Sequence, residues 1–330
     1  MTRSASSGAA LLALFAAGCR GIYSALDPAT RENARITTLH WVNYWMCAAF
    51  FVAMMTVLAV AVARRRRSET PEGVRRRSLS VAAAAGISTV LLLVLLVSSV
   101  VTGHANAAPA GANAIEIEVI GHQWWWEVRY PARSPADDVT TANEIHVPVG
   151  RAVRLQLSSG DVIHSFWVPN VHGKKDLIPG RRTSLVFHLE KEGTFRGQCA
   201  EFCGYQHAHM GLVVFAESPR LFEAWLDNQR RLAPEPVGPT EEHGRHVFLS
   251  GPCVLCHTIR GAGVFGHKAP DLTHLASRTT IAAATLPNTP GHLAGWVTDP
   301  QAIKPGNRMP PNVLAANDLD DLVSYLRSLR

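Results

Sequence analysis

The hydrophobic pattern changes character three times along the chain. Residues 40–63, HWVNYWMCAAFFVAMMTVLAVAVA, hold 24 positions without a formal charge when His40 is neutral, and residues 79–101, LSVAAAAGISTVLLLVLLVSSVV, hold 23. Each run is long enough for a helix crossing a hydrocarbon core of roughly 30 Å, so a transmembrane helical hairpin is predicted over 36–104. From residue 115 the texture turns to short alternating runs: IEIEVI, WWWEVRY, NEIHVPVG, RAVRLQLSSG, TSLVFHLE and MGLVVFAES. Broken by Gly, Pro and Asp turns, such runs predict an all-β sandwich or barrel over 112–218. RLFEAWLDNQRRL reads as a helix and APEPVGPTEE as a proline-rich linker, together 219–239. The third texture, 240–330, is helical with loops. It closes on ANDLDDLVSYLRSLR, where Leu319, Leu322, Val323, Leu326 and Leu329 recur at helical spacing.

Charge adds topology to this pattern. The chain of 330 residues carries a net charge of +6, but residues 64–77 alone hold seven arginines against two glutamates, a contribution of +5. The remainder is nearly neutral, which argues against a basic nucleic-acid-binding face. An arginine-rich loop, 64–78, between two apolar spans belongs on the cytoplasmic side. Both ends of the chain then lie outside the cytoplasm. Residues 1–18 resemble a signal peptide, with Arg3, an apolar run and Gly18 before Cys19. Small residues before a cysteine resemble a bacterial lipoprotein cleavage site that would leave Cys19 as a lipid-modified N-terminus. Ala16 stands where such sites usually have leucine, so plain cleavage or retention is the alternative.

Of six cysteines, Cys19 sits at the signal boundary and Cys47 in the first apolar span; the other four form two close pairs. In an oxidising compartment the bland reading is two disulfides. The second pair opens CVLCH, 253–257, an attachment motif for c-type haem. Cys253 and Cys256 would bond the haem vinyl groups, with His257 as proximal iron ligand. Met309 is the only methionine of this last segment and is expected as distal ligand, a pairing that raises the haem potential and suits electron transfer. His267, His274 and His292 are assigned surface or propionate-side roles. The first pair lies in RGQCAEFCGYQHAHMG, 196–211. A one-copper site would use Cys203, His207, Met210 and an earlier His164, leaving Cys199 and Glu201 over. Structural zinc would leave Met210 without purpose. Two thiolates bridging two coppers use every group: Cys199 and Cys203 as bridges, one imidazole each from His164 and His207, and weak axial ligation by Met210 and the carbonyl of Glu201.

The run Cys-x-Glu-x-Cys-Gly-x-x-His-x-x-Met from Cys199 to Met210 resembles the binuclear copper (CuA) signature of cytochrome c oxidase subunit II. VIHSFWVPN, GHQWWWEVRYP and KDLIPGR extend the likeness. A subunit II with a cytochrome c domain fused behind it is similar to those of caa-type haem–copper terminal oxidases. The resemblance implies a multi-domain membrane protein: a two-helix transmembrane hairpin, an all-β cupredoxin-like Greek-key barrel, then an all-α class I cytochrome c domain. It implies a binuclear copper CuA centre of two coppers and one covalent haem c. The Glu201 side chain, with Asp176, would help hold a magnesium or manganese ion shared with subunit I. Trp124 would be where electrons reach the copper site, Trp125 and Trp126 staying structural, and Arg181 would lie near haem propionates of the catalytic subunit.

The implied function is electron transfer within a proton-pumping cytochrome c oxidase. An external donor, such as a quinol–cytochrome c reductase or soluble cytochrome, would reduce haem c, haem c would reduce CuA, and CuA would feed subunit I, where oxygen is reduced to water. This chain has no catalytic residue for oxygen, since neither metal site keeps an open position. Subunit III and membrane lipid are further expected partners, and nucleic acid is not. The setting would be a bacterial plasma membrane, with two passes and both metal domains on the periplasmic side. A nitric oxide reductase partner and a membrane-tethered copper delivery role are the alternatives. One departure from the family stands out: no acidic residue occurs between Glu72 and Glu116, where many such oxidases carry a glutamate at a proton-channel mouth.

Overall fold

The computed structural model describes residues 21–64, 71–107, 111 and 113–330. The signal segment, Cys19 and residues 65–70 of the arginine loop lie outside the described residues. The chain divides into two units, Ala34–Ala108 and the rest. The first is built from helices α1 (Arg31–Ala63) and α2 (Pro71–Asn106), with mean hydropathy 2.5 in their most apolar windows. Both are long and apolar enough to cross a membrane. Their apolar windows are not buried within the chain, as befits helices whose backbone bonds close internally and whose side chains face lipid. At the open end of the pair, the Arg35 guanidinium donates to the Ala105 carbonyl at 3.0 Å and to the Asn106 side chain at 3.2 Å.

In the second unit the alternating runs become two five-stranded sheets. One has the order β3 (Val139–Ala142), β2 (Trp125–Tyr130), β1 (Ile115–His122), β5 (Ala152–Ser159) and β8 (Thr183–His188). The other runs β4 (Glu144–Pro148), β10 (Gly211–Glu217), β9 (Gly193–Cys199), β6 (His164–Trp167) and β7 (Lys175–Leu177). β1 pairs with β5, and β4 with β10, in parallel; every other pairing is antiparallel. Ile117, Val119, Trp126, Leu155, Leu157, Phe166, Leu185 and Phe187 are among the side chains that fill the space between the sheets. This is a two-sheet sandwich, in which period-two strands bury one face each. Helix α3 (Pro219–Arg230) then closes over the edge, with Phe222 and Trp225 packed against Tyr130.

The last domain is helical, as the sequence predicts, around α4 (Pro239–Ser250), α5 (Pro290–Thr298), α6 (Pro300–Ile303) and α7 (Ala316–Ser328). It also carries two short antiparallel pairs, Thr258–Ile259 with Val264–Phe265 and Thr280–Ile281 with Leu286–Pro287. These are too brief to leave a periodic signal in the sequence. Leu322, Val323 and Leu326 of α7 are buried and Leu319 packs beside them, the stripe that the spacing predicted. His274, expected at the surface or beside a propionate, is instead buried, and its Nε2 lies 3.1 Å from the Arg231 carbonyl. Between the second pair of strands, Ala282, Ala283 and Ala284 all adopt left-handed φ, from 54° to 58°. Three such alanines cost on the order of 1–2 kcal/mol each. The cost is offset because each carbonyl is captured: by Lys304 Nζ at 3.2 Å, by the Gly211 N–H at 3.0 Å and by the Arg196 guanidinium at 2.9 Å.

α4 and α7 pack at Gly244, where an added Cβ would overlap the Asp321 backbone and stand 2.8 Å from the Tyr325 Cβ. Gly244→Ala is therefore expected to destabilise the cytochrome-like domain by about 1–3 kcal/mol, the usual cost of overpacking. Denaturant unfolding followed by the far-ultraviolet signal checks this.

Candidate metal centre

Three strand ends deliver the sulfur and imidazole groups to one place. β6 begins with His164, β9 ends with Cys199, and the loop back to β10 carries Glu201, Cys203, His207 and Met210. The loop is closed at its base, where the Cys199 N–H donates to the Met210 carbonyl at 2.9 Å, and the Ala200 N–H donates to Ser165 on β6 at 2.9 Å. Cys199 and Cys203 are free thiols with sulfurs 3.8 Å apart. Cys199 Sγ lies 3.9 Å from His164 Nδ1 and 3.2 Å from the Glu201 carbonyl oxygen. Cys203 Sγ lies 3.6 Å from His207 Nδ1 and 3.9 Å from Met210 Sδ. Each sulfur thus has its own imidazole and its own weaker donor. His164, Cys199 and Cys203 form the group of three metal-ligating side chains found among the described residues.

The surroundings hold these groups in place. His164 is fully buried, and its ring comes so close to β1 that a Cβ on Gly121 would stand 2.7 Å from Cδ2. Its Nε2 meets the Asp161 carboxylate at 2.8 Å, which leaves Nδ1 facing Cys199. Such an outer carboxylate sets the tautomer and orientation of a ligating histidine. Burial would raise the Asp161 carboxyl, but hydrogen bonds from His164 and from the Gln123 and Val162 N–H groups outweigh it and hold it at about 2. Burial disfavours a charged His164, yet its bonds to Asp161 and Cys199 raise its pKa. The hydrogen bond between the sulfurs pulls the Cys199 thiol down and pushes the Cys203 thiol up. A metal that took both as thiolates would release their protons.

The three tryptophans make different contacts around the site. Trp125 stacks on His122 at 4.6 Å. Trp126 is fully buried, packs on His164 at 6.1 Å and donates its indole N–H to the Met210 carbonyl at 3.4 Å, so it also supports the site. Trp124 is 7% exposed, and its indole N–H donates to the Cys203 carbonyl at 3.0 Å, beside Gln123 Nε2 at 2.8 Å. Asp176 is half-buried on β7 opposite Ser165, and Glu201 is half-buried on the adjoining loop. Arg181 is exposed, and His209 points outward with Nδ1 on Gln206 at 2.8 Å.

In the C-terminal domain Cys253 lies within a 3-10 turn, Pro252–Leu255, Cys256 caps its end, and the His257 N–H donates back to the Cys253 carbonyl at 3.0 Å. Both thiols are free. His257 Nδ1 meets the Pro270 carbonyl at 2.8 Å, which would leave Nε2 for a metal; burial lowers its pKa and favours the neutral form. The N–H groups of Gly266, Lys268 and Ala269 bond the carbonyls of His257 and Cys256, so the motif is held by backbone. Met309 is half-buried, with its N–H on Asn307 Oδ1 at 2.8 Å. This thiol–thiol–imidazole order fits covalent haem c, and the soft sulfur and imidazole set of the first site fits copper.

Sequence reasoning missed Lys304. It is 2% exposed, and its ammonium donates to the carbonyls of Trp124 at 2.8 Å, His209 at 2.9 Å and Ala282 at 3.2 Å. Burial pushes its pKa down to about 7, against the attraction of Cys203. A lysine in a Pro-Gly loop carries no signal of burial, because only the packed domains enclose it.

Residues 115–217 match the family described as cytochrome C oxidase subunit II, periplasmic domain, and residues 241–330 match cytochrome c. The chain is 36% identical over 222 residues to cytochrome c oxidase subunit 2 of Alkalihalophilus pseudofirmus, covering 67% of this chain and 63% of that one. It is 32% identical over 230 residues to cytochrome c oxidase subunit 2 of Bacillus sp., covering 66% and 63%. The chain thus spans 63% of the length of these relatives. The crystal structure of the periplasmic domain of subunit II of cytochrome oxidase of Bradyrhizobium japonicum is 30% identical with a TM-score of 0.35, covering 37% of this chain and 97% of that one.

Asp161→Asn keeps the shape of the side chain and removes its charge. Copper affinity of the purified chain, measured by chelator competition, is expected to fall about 10–100-fold, the usual cost of losing such a carboxylate–histidine bond.

Proposed function

We propose that this chain, whose residues 115–217 belong to the cytochrome c oxidase subunit II periplasmic-domain family and whose residues 241–330 belong to the cytochrome c family, is the electron-accepting subunit of a haem–copper oxidase. His164, Cys199, Cys203, His207, Met210 and the Glu201 carbonyl would hold two coppers; Cys253, Cys256, His257 and Met309 would hold one haem c. Copper and haem held by these residues would each supply one-electron transfer when bound. The chain's own residues do the rest. Trp126 and Asp161 orient His164, the Cys199–Met210 backbone bond keeps the two sulfurs together, and Pro270 orients His257.

The observation that carries the reading is the position of Trp124. It lies beneath the cytochrome c domain, with its indole on the Cys203 carbonyl, its own carbonyl on Lys304, and Gly306 close enough that a Cβ there would stand 3.9 Å from the ring. An external protein cannot reach that indole face. Electrons from outside therefore arrive at the cytochrome c domain, pass to the copper domain through the Trp124 contact, and leave for a catalytic subunit I that reduces oxygen to water. Glu201 and Asp176 would share a magnesium or manganese ion with that subunit. The helices α1 and α2 would anchor both domains on the periplasmic side of a bacterial plasma membrane, beside subunits I and III, with a quinol–cytochrome c reductase or soluble cytochrome as donor.

Metal analysis and the paramagnetic spectrum of the purified full chain test this. Two coppers per haem, sharing one unpaired electron, are expected; a chain that takes up haem but no copper after reduction and copper loading would overturn the reading. Cys199→Ser is expected to leave at most one copper and to slow delivery to the oxidase at least tenfold, about 1.4 kcal/mol in barrier.

A further inference from the structure

One buried cation bonds to both the cytochrome c domain and the copper domain. We infer that Lys304 is a positioning residue for transfer between the two domains, pinning the loop that carries Met309 onto Trp124 and onto the ligand loop of the copper site. The inference rests on the electron path proposed above.

The geometry carries it in three steps. An ammonium has three N–H donors and no acceptor, and here three carbonyls from three separate segments converge on it: Trp124 beside the copper site, His209 one residue before Met210, and Ala282 in the cytochrome c domain. A single side chain therefore ties the indole, the copper ligand loop and the opposite domain.

From Lys304 the restraint runs on to Met309 by hydrogen bonds. The Lys304 carbonyl accepts from Asn307 Nδ2 at 2.7 Å, Asn307 Oδ1 accepts from the Met309 N–H at 2.8 Å, and Gln301 Nε2 donates to the carbonyls of Asn307 and Met309 at 2.9 and 2.8 Å. Fixing Lys304 thus fixes the segment that presents Met309. In the other direction the restraint reaches Cys203 through the Trp124 indole at 3.0 Å.

The third step is the ring of bonds around the pin. Gln206 of the ligand loop donates to the Pro305 carbonyl at 2.8 Å. The buried Glu144 carboxylate accepts from the Thr279 N–H at 2.8 Å and the Thr279 hydroxyl at 2.6 Å. The Gly211 N–H donates to Ala283, next to Ala282. Lys304 bonds to both sides of this ring: without its ammonium the buried Trp124 carbonyl and the Ala282 carbonyl lose this donor, while the His209 carbonyl keeps the Thr285 hydroxyl at 3.3 Å.

The test uses the full holoprotein with Lys304→Met, which keeps the apolar stem and removes all three donors. Amide hydrogen exchange at Gly211 and Thr279, whose N–H groups bond across the interface, is expected to quicken about tenfold or more, because exchange there tracks domain opening. Electron transfer from haem c to copper after rapid reduction of the haem is expected to slow and become biphasic. The haem absorbance and the copper paramagnetic spectrum stay as in the unsubstituted protein. Lys304→Gln, which keeps two donors on a shorter arm, moves both readouts in the same direction by less, and it serves if the methionine variant fails to load its metals. Unchanged exchange overturns the inference, and so does faster exchange with unchanged transfer, which would make Lys304 a structural residue only. A wild-type chain without copper would instead count against the proposed function, while the exchange arm still tests the pin.

Discussion

Two sulfur atoms 3.8 Å apart in a buried pocket cannot both be thiolates unless cations sit beside them. The Cys199 and Cys203 sulfurs are hydrogen-bonded to each other, and the surrounding donors are arranged around that pair. His164 and His207 approach one sulfur each, Met210 and the Glu201 carbonyl complete the set, and Asp161 holds the His164 ring in the tautomer that faces inward. The sandwich supplies the rigidity. β6 and β9 are hydrogen-bonded neighbours, and the loop is shut at its base by the Cys199–Met210 backbone bond.

The same loop is also a docking surface. Its main-chain carbonyls at Cys203 and His209 are turned toward Trp124 and Lys304. The Cys203 carbonyl is taken up by Trp124 and Gln123 of its own domain and the His209 carbonyl by Lys304 of the other, while the Cys203, His207 and Met210 side chains gather at the sulfur cluster. The left-handed Ala282–Ala284 turn does the complementary job from the other side, offering three successive carbonyls that Lys304, Gly211 and Arg196 take up. Alanine has no conformational reason to sit there; the bonds across the interface supply one.

Much of this was legible in the sequence. The apolar runs marked the two long helices, and the period-two segments marked the strands beginning at 115, 125, 144, 152, 183 and 211. β9 gave a poor signal because its inward positions are Phe195, Gly197 and Cys199, a glycine and a ligand where aliphatic residues usually stand. β3 and β7 are only four and three residues long. The gathering of Cys199, Cys203, His207 and Met210 was legible because sulfur and imidazole side chains are rare and closely spaced there. His274 was misplaced because a lone histidine in a loop reads the same whether it faces water or, as here, a buried carbonyl.

What the sequence determined by itself is local: helix length, strand period, and the clustering of sulfur and imidazole within a dozen residues. What only the tertiary structure decided is which distant groups meet. Trp124 on Cys203, Trp126 on Met210 and Lys304 on Trp124 are unions across strands or domains, made by packing and by the need to pair buried polar groups. No spacing rule in the chain encodes them, since the partners are common residue types whose roles arise only when folding removes water from between them.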